Sequence, residues 1–161
     1  MERVAVYAGS FDPITTGHLD LVRRASKLFD RIVLSIGHNP KKQYLLSIES
    51  RKAILDECVA DLSNVSVAVF DGLLIEHCRT EGAGFILRGL RAVTDFEFEF
   101  QIGLANMDMA PAIETVFLLT EPKNIFVSSS LVKEIATNGG DVSRYLPEPA
   151  FRELSRRLQE I

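Results

Sequence analysis

Apolar and polar positions along the chain follow two spacings in turn. Val4-Ala5-Val6-Tyr7-Ala8 is an apolar run that predicts a buried strand, Arg31 to Ile36, rich in β-branched residues, predicts a second, and Val65 to Phe70 a third. Shorter runs at Phe85 to Leu87 and Thr115 to Leu119 predict two more. Between them the spacing changes to three and four. Leu19 to Phe29 predicts a helix. Ser47 caps another running to about Leu62, with Ile54, Leu55, Cys58, Val59 and Leu62 on one face. Leu73 to Thr80 predicts a short helix. Ser128-Ser129-Ser130 opens one that Asn138-Gly139-Gly140 stops, and the tail from Glu148 to Glu160 repeats Phe151, Leu154 and Leu158. One segment resists the scheme. Asp95 to Ile102 alternates with period two, a strand signal, although a helix there would align Phe96, Phe100, Leu104 and Met107.

Alternating strands and helices predict a single α/β domain over residues 1–161. Its architecture is a Rossmann-like, doubly wound, five-stranded parallel sheet with helices on both faces. Such sheets bind ligands beyond the carboxyl ends of their strands, where the strand order reverses. The loops that converge there carry Ser10 to His18, Lys42, Arg88 to Arg91 and Ser128 to Ser130.

Bulk properties narrow the class. A chain of 161 residues, 47% hydrophobic and 25% charged, buries a sizeable core without staples. No apolar run approaches a membrane span, and the five apolar residues before Gly9 are too few for a signal-peptide core. A net charge of -4 argues against nucleic-acid or membrane partners. Cys58 and Cys78 form no motif, so reduced thiols and a cytoplasmic location are expected. Neither repeats nor metal-ligand spacing is apparent.

The candidate chemistry is anion binding. Gly9-Ser10-Phe11-Asp12-Pro13-Ile14-Thr15-Thr16-Gly17-His18 joins a strand to a helix N-terminus, where backbone N–H groups lie unpaired. Gly17 lets a ligand approach the backbone, and His18 adds a donor. Asp12, before Pro13, reads as a turn residue. Arg88 and Arg91 suit bidentate phosphate contacts, and the plain alternative is pairing with Asp95, Glu97 or Glu99. Lys42 in its loop is solvated unless a ligand recruits it. Three serines exceed what one cap requires, so hydroxyls remain for phosphate oxygens. His38 and His77 read as structural.

The N-terminal Gly-Ser-Phe-Asp-Pro-x-Thr-x-Gly-His, with the later Ser-Ser-Ser-x-Val-Lys, resembles the T/H-x-G-H nucleotidyltransferase superfamily. Asn39-Pro40-Lys41-Lys42, Leu87-Arg88-Gly89-Leu90-Arg91-Ala92-Val93, Asp95-Phe96-Glu97-Phe98-Glu99 and Phe126 to Lys133 are similar to the bacterial phosphopantetheine adenylyltransferase family over nearly the whole chain. That resemblance implies an enzyme that converts ATP and 4'-phosphopantetheine to dephospho-coenzyme A and pyrophosphate, the penultimate step of coenzyme A synthesis. It implies Mg2+ with ATP, a cytoplasmic homohexamer, and feedback inhibition by coenzyme A. Position by position, His18 stabilises charge on the transferring phosphate. Ser10, Lys42, Leu74 and Arg88 hold phosphopantetheine. Ser10, Phe11, His18, Gly89, Leu90, Arg91, Glu99, Asn124, Ile125, Phe126, Val127, Ser128, Ser129 and Ser130 hold ATP. The resemblance also implies a helix around Glu99, against the local alternation.

Three positions depart from the family pattern: Ser10 for a frequent Thr, Asn124 for an occasional aromatic, and Met107 for a frequent Arg. A related enzyme adenylylating nicotinate mononucleotide, or a non-catalytic nucleotide-binding regulator, remains an alternative. Lys42 with Arg88 to Arg91 weighs against the first, and intact His18 and Lys42 against the second. A phosphate monoester nucleophile, with its second pKa of about 6, needs no general base. Catalysis therefore reduces to alignment and charge stabilisation in a direct in-line attack, with His18 as hydrogen-bond donor.

Overall fold

Every strand pairs in parallel, because each link between consecutive strands is a helix-bearing crossover. The computed structural model describes residues 2–160. The strands are β1 (Val4–Gly9), β2 (Arg31–His38), β3 (Val65–Asp71), β4 (Phe85–Leu90) and β5 (Glu114–Leu119). The helices are α1 (Thr16–Ala25), α2 (Ile48–Cys58), α3 (Leu74–Thr80), α4 (Val93–Met109), α5 (Ser129–Thr137) and α6 (Glu148–Gln159). The strand order is β3-β2-β1-β4-β5, so the chain winds outward from β1 to one edge and then from β4 to the other. The loops after β1 and β4 therefore part, leaving a crevice between them.

Side-chain alternation along β1 divides the interior in two. Ala5 and Tyr7 join Ile32, Leu34 and Ile36 under α1, α2, α5 and α6. Val4, Val6 and Ala8 join Val33 and Ile86 against Ile75 and Cys78 of α3. Helices thus cover both faces, as expected. Both cysteines are free and buried. His77 is also structural: its ring stacks on Phe70 and Nε2 meets the Ser35 hydroxyl at 2.8 Å. No helix of the described residues is long and apolar enough to cross a membrane.

Helix α2 ends at Cys58 rather than near Leu62, and β2 runs on to His38; the differences that shape the site each have a local reason. Helix α1 spans Thr16–Ala25 instead of residues 19–29, because Thr15 caps it and places His18 in the first turn. Ser26 ends it, and Phe29 turns into the core. Strand β4 continues through Arg88 to Leu90, so Arg88 projects from a strand rather than a loop. Residues 95–102 lie within α4, as the resemblance implies and the alternation does not. The helix sets Asp95 and Glu99 on one face, where they meet Arg91 and Arg88. It leaves Phe96, Phe100, Leu104 and Met107 between 44% and 49% exposed on another. Period-two spacing disguised this i, i+4 pairing, which tertiary contacts decide.

Candidate active site

A cavity of about 640 Å³ opens at the carboxyl ends of β1 and β4, beside the crevice where the strand order reverses. It draws on five parts of the chain. Gly9 to Phe11 and the first turn of α1 form one wall. Arg88 and Gly89 of β4 form the next, with Arg91 beyond. Asp95 and Glu99 of α4 face them, and Val127 to Ser130 close the site at the start of α5. Lys42 enters from the exposed loop after β2.

His18 is fixed by its own helix start. The Thr15 hydroxyl accepts from the His18 N–H at 3.3 Å, and the Thr15 N–H donates to His18 Nδ1 at 3.1 Å. This is a capping box with histidine in the usual Glu/Gln place. With Nδ1 accepting, the neutral imidazole carries its proton on Nε2, the nitrogen left for the cavity. Burial, reinforced by Arg91 and Arg88, lowers the imidazole pKa to about 4. The ring is neutral at pH 7 and stands edge-on to Phe11, with centroids 5.3 Å apart.

Both arginines are paired with acids. Arg88 Nε and Nη2 each reach Glu99 at 2.6 Å, a bidentate bridge that excludes most solvent. Arg91 Nε donates to Asp95 at 3.0 Å. Pairing with acids, the plainer reading, is therefore present, and the Glu99 carboxylate takes the fork of Arg88 that a phosphate would use. Lys42 has no ion pair among the described residues.

The three serines divide their work. Ser128 is the N-cap of α5, its hydroxyl accepting from the Leu131 N–H at 3.2 Å. Ser129 donates to the Pro13 carbonyl at 2.8 Å, tying α5 to the loop after β1. The exposed Ser130 hydroxyl has no partner among the described residues.

Most residues expected at the site meet on this cavity: Ser10, Phe11, His18, Lys42, Arg88, Gly89, Arg91, Glu99, Asn124 and Val127 to Ser130 line it. Four do not. Leu74 packs at the start of α3 against the second core. Leu90 ends β4. Ile125 and Phe126 are exposed, and Phe126 meets Tyr145 edge-on beside an adjoining cleft. Asn124 is 5% exposed; its Oδ1 accepts from Thr16, and its Nδ2 is buried with no partner among the described residues.

The buttress behind the loop leaves no local signal in the sequence. Asp12 does not serve its own turn. Its carboxylate accepts from the Leu45 N–H at 2.9 Å, the Leu46 N–H at 2.8 Å and Lys133 Nζ at 2.9 Å. Two donors are more than thirty residues away along the chain and the third over a hundred. Replacing Asp12 by Ala strands three donors and should lower the unfolding free energy by on the order of 3 kcal/mol. Urea unfolding measures it, and a loss below about 0.5 kcal/mol would contradict the buttress.

The cytidylyltransferase-like family profile matches residues 6–135. The chain is 46% identical to a phosphopantetheine adenylyltransferase of Alkaliphilus oremlandii, over 97% of this chain and 99% of that protein. It is likewise 46% identical to one of Desulfatibacillum aliphaticivorans, over 99% and 91% of the two chains. In structure it resembles the nicotinic acid mononucleotide adenylyltransferase of Plasmodium falciparum in complex with NaAD, with a TM-score of 0.68 at 14% identity. That match covers 97% of this chain and 96% of the other. The last similarity, at such low identity, is one of fold.

Proposed function

The chain belongs to the cytidylyltransferase-like family and, within it, to the phosphopantetheine adenylyltransferases; from that premise we propose how its cavity transfers the adenylyl group of ATP to 4'-phosphopantetheine. The observation that carries the reading is the cavity's inventory. Lys42, Arg88, Arg91, the His18 Nε2–H and the N-termini of two helices converge on a space able to hold two anions. Among the described residues the only hydroxyl bonded to His18 belongs to its own cap, Thr15. A histidine so engaged is not poised to activate a nucleophile.

The reaction then runs in one step. A phosphopantetheine phosphate oxygen attacks the α-phosphorus of ATP and forms the new P–O bond. The bond to the β-phosphate bridging oxygen breaks, and pyrophosphate leaves with its electron pair. Lys42 and Arg88 hold the attacking phosphate. Ser10, Arg91 and the start of α5 hold the nucleotide. The neutral His18 donates from Nε2 to the α-phosphate oxygen whose charge grows. Mg2+ enters as part of the substrate, MgATP. The cavity's two acids both answer to arginines, which suits a metal held mainly by phosphate oxygens and water.

The exposed apolar stripe on α4 supports burial against further copies of the chain, and the homohexamer is the assembly we assign. Coenzyme A carries both the pantetheine arm and an adenylate, so it would compete for the same cavity as a feedback inhibitor in the cytoplasm. The test is direct. Protein, MgATP and 4'-phosphopantetheine should yield dephospho-coenzyme A and pyrophosphate in equal amounts. Adenylylation of nicotinate mononucleotide in place of phosphopantetheine would overturn the assignment.

A further inference from the structure

Arg51 is 1% exposed, although it carries a formal charge. It lies on the inner face of α2, one turn before Ile54 and Leu55. Among the described residues no carboxylate pairs with it. Its guanidinium lies over the Tyr44 ring, 4.1 Å from the centroid. Nε donates to the Ser47 carbonyl at 3.3 Å, and Nη1 donates to the Ser10 carbonyl at 2.8 Å. An arginine buried without a counter-ion costs stability that an apolar residue of similar size would not. What it grips explains its presence.

The Ser10 carbonyl and the Phe11 N–H belong to one peptide plane. In a trans peptide they point in opposite directions, so fixing one aims the other. Arg51 holds the carbonyl from the buried side. The Phe11 N–H has no partner among the described residues, and Ser10 and Phe11 line the cavity. Phe11 has φ 45°, a left-handed conformation that a bulky residue adopts only under external constraint. Arg51 supplies that constraint before Phe11, and the anchored Asp12 supplies it after. A cation at the carbonyl also polarises the peptide and strengthens its N–H as a donor.

We infer that Arg51 is a positioning residue for the transfer: through the Ser10 carbonyl it aims the Phe11 N–H at a phosphate oxygen of the nucleotide. The inference rests on the reading of this cavity as an adenylyl-transfer site. It adds a residue outside the cavity whose effect falls on the nucleotide rather than on the acceptor.

Ser10-Phe11 is the chain's sole Ser-Phe dipeptide, so labelling serine carbonyls with 13C and phenylalanine nitrogens with 15N isolates its amide by NMR. Titration with inorganic pyrophosphate should move that signal in the unaltered protein and in Arg51→Lys, and far less in Arg51→Met. Arg51→Met should raise the KM for ATP roughly tenfold or more, the loss of one charge-assisted hydrogen bond's orientation. The KM for phosphopantetheine should change less than about twofold, within the range of an indirect effect. Arg51→Lys, which keeps a donor, should recover most of the difference. In a second, uniformly 15N-labelled sample, a Phe11 amide that stays still while those of Ser128 to Ser130 move overturns the inference and leaves the site intact. If none moves, the reading of the cavity fails with it. A folded Arg51→Met protein with unaltered ATP kinetics also overturns the inference. Should Arg51→Met not fold, the titrations of the unaltered protein and of Arg51→Lys decide it.

Discussion

Replacing His18 with Ala should lower turnover by about 10²- to 10³-fold, the usual cost of removing one donor aimed at developing charge. The KM for either substrate should change far less, since the bond strengthens only as charge builds on the α-phosphate. Folding should be little affected. The Thr15 hydroxyl still caps the His18 backbone N–H, and only the reciprocal contact to Nδ1 is lost. The same geometry argues against a proton shuttle. A shuttling imidazole must carry two protons for part of the cycle, and the second would displace the Thr15 N–H from Nδ1. NMR of the unliganded protein should therefore place the imidazole midpoint near 4. The native value lies below the unfolded value of about 6.5. This histidine's contribution to stability is therefore complete above that pH and declines as pH falls toward 4. Near-normal turnover in His18→Ala, or a midpoint at or above 6.5, would refute the role.

The parts of this fold legible in the sequence are those whose signal is local. Val4 to Ala8 and Ile32 to Ile36 are buried on both faces, so apolar runs, interrupted only by Ser35, announce them. Ser47 and Ser128 are caps by residue type and position. What stayed hidden depends on partners distant in sequence. Residues 95–102 alternate like a strand, yet Arg88 and Arg91 hold Asp95 and Glu99 on one helical face. Arg88 lies inside β4 because Phe117 of β5 continues the ladder beside it. Asp12 looked like a turn residue because its donors, in the 45–46 segment and α5, are invisible locally. Arg51 did leave a signal. It sits at helical spacing from Ile54, Leu55 and Cys58, and a charge on an apolar stripe marks an inward-facing group with a specific partner. The lining residues Ser10, His18 and Ser128 to Ser130 were legible for another reason: sheet topology sends strand-end loops to one edge whatever their sequence.

Arg88→Ala should raise the KM for phosphopantetheine by about a hundredfold, while the KM for MgATP shifts only a few fold. Two effects add. A charge-assisted pair to a dianionic phosphate contributes about 1.5–3 kcal/mol, roughly ten- to hundredfold in affinity. Removing the guanidinium also strands Glu99, whose side chain is 12% exposed and whose bridge to Arg88 uses both carboxylate oxygens. That carboxylate would then repel the incoming phosphate instead of yielding Arg88 to it. Adding Glu99→Gln to Arg88→Ala should therefore recover part of the lost affinity for phosphopantetheine, a coupling that a double-mutant cycle measures. Lys42→Ala should act on the same substrate more weakly, by roughly tenfold, because an exposed flexible ammonium gives up entropy to reach its phosphate. Should Arg88→Ala impair ATP affinity alone, the two anion positions are assigned in the wrong order. Arg88 would then hold the nucleotide, and the acceptor phosphate would lie nearer to Arg91 and α5.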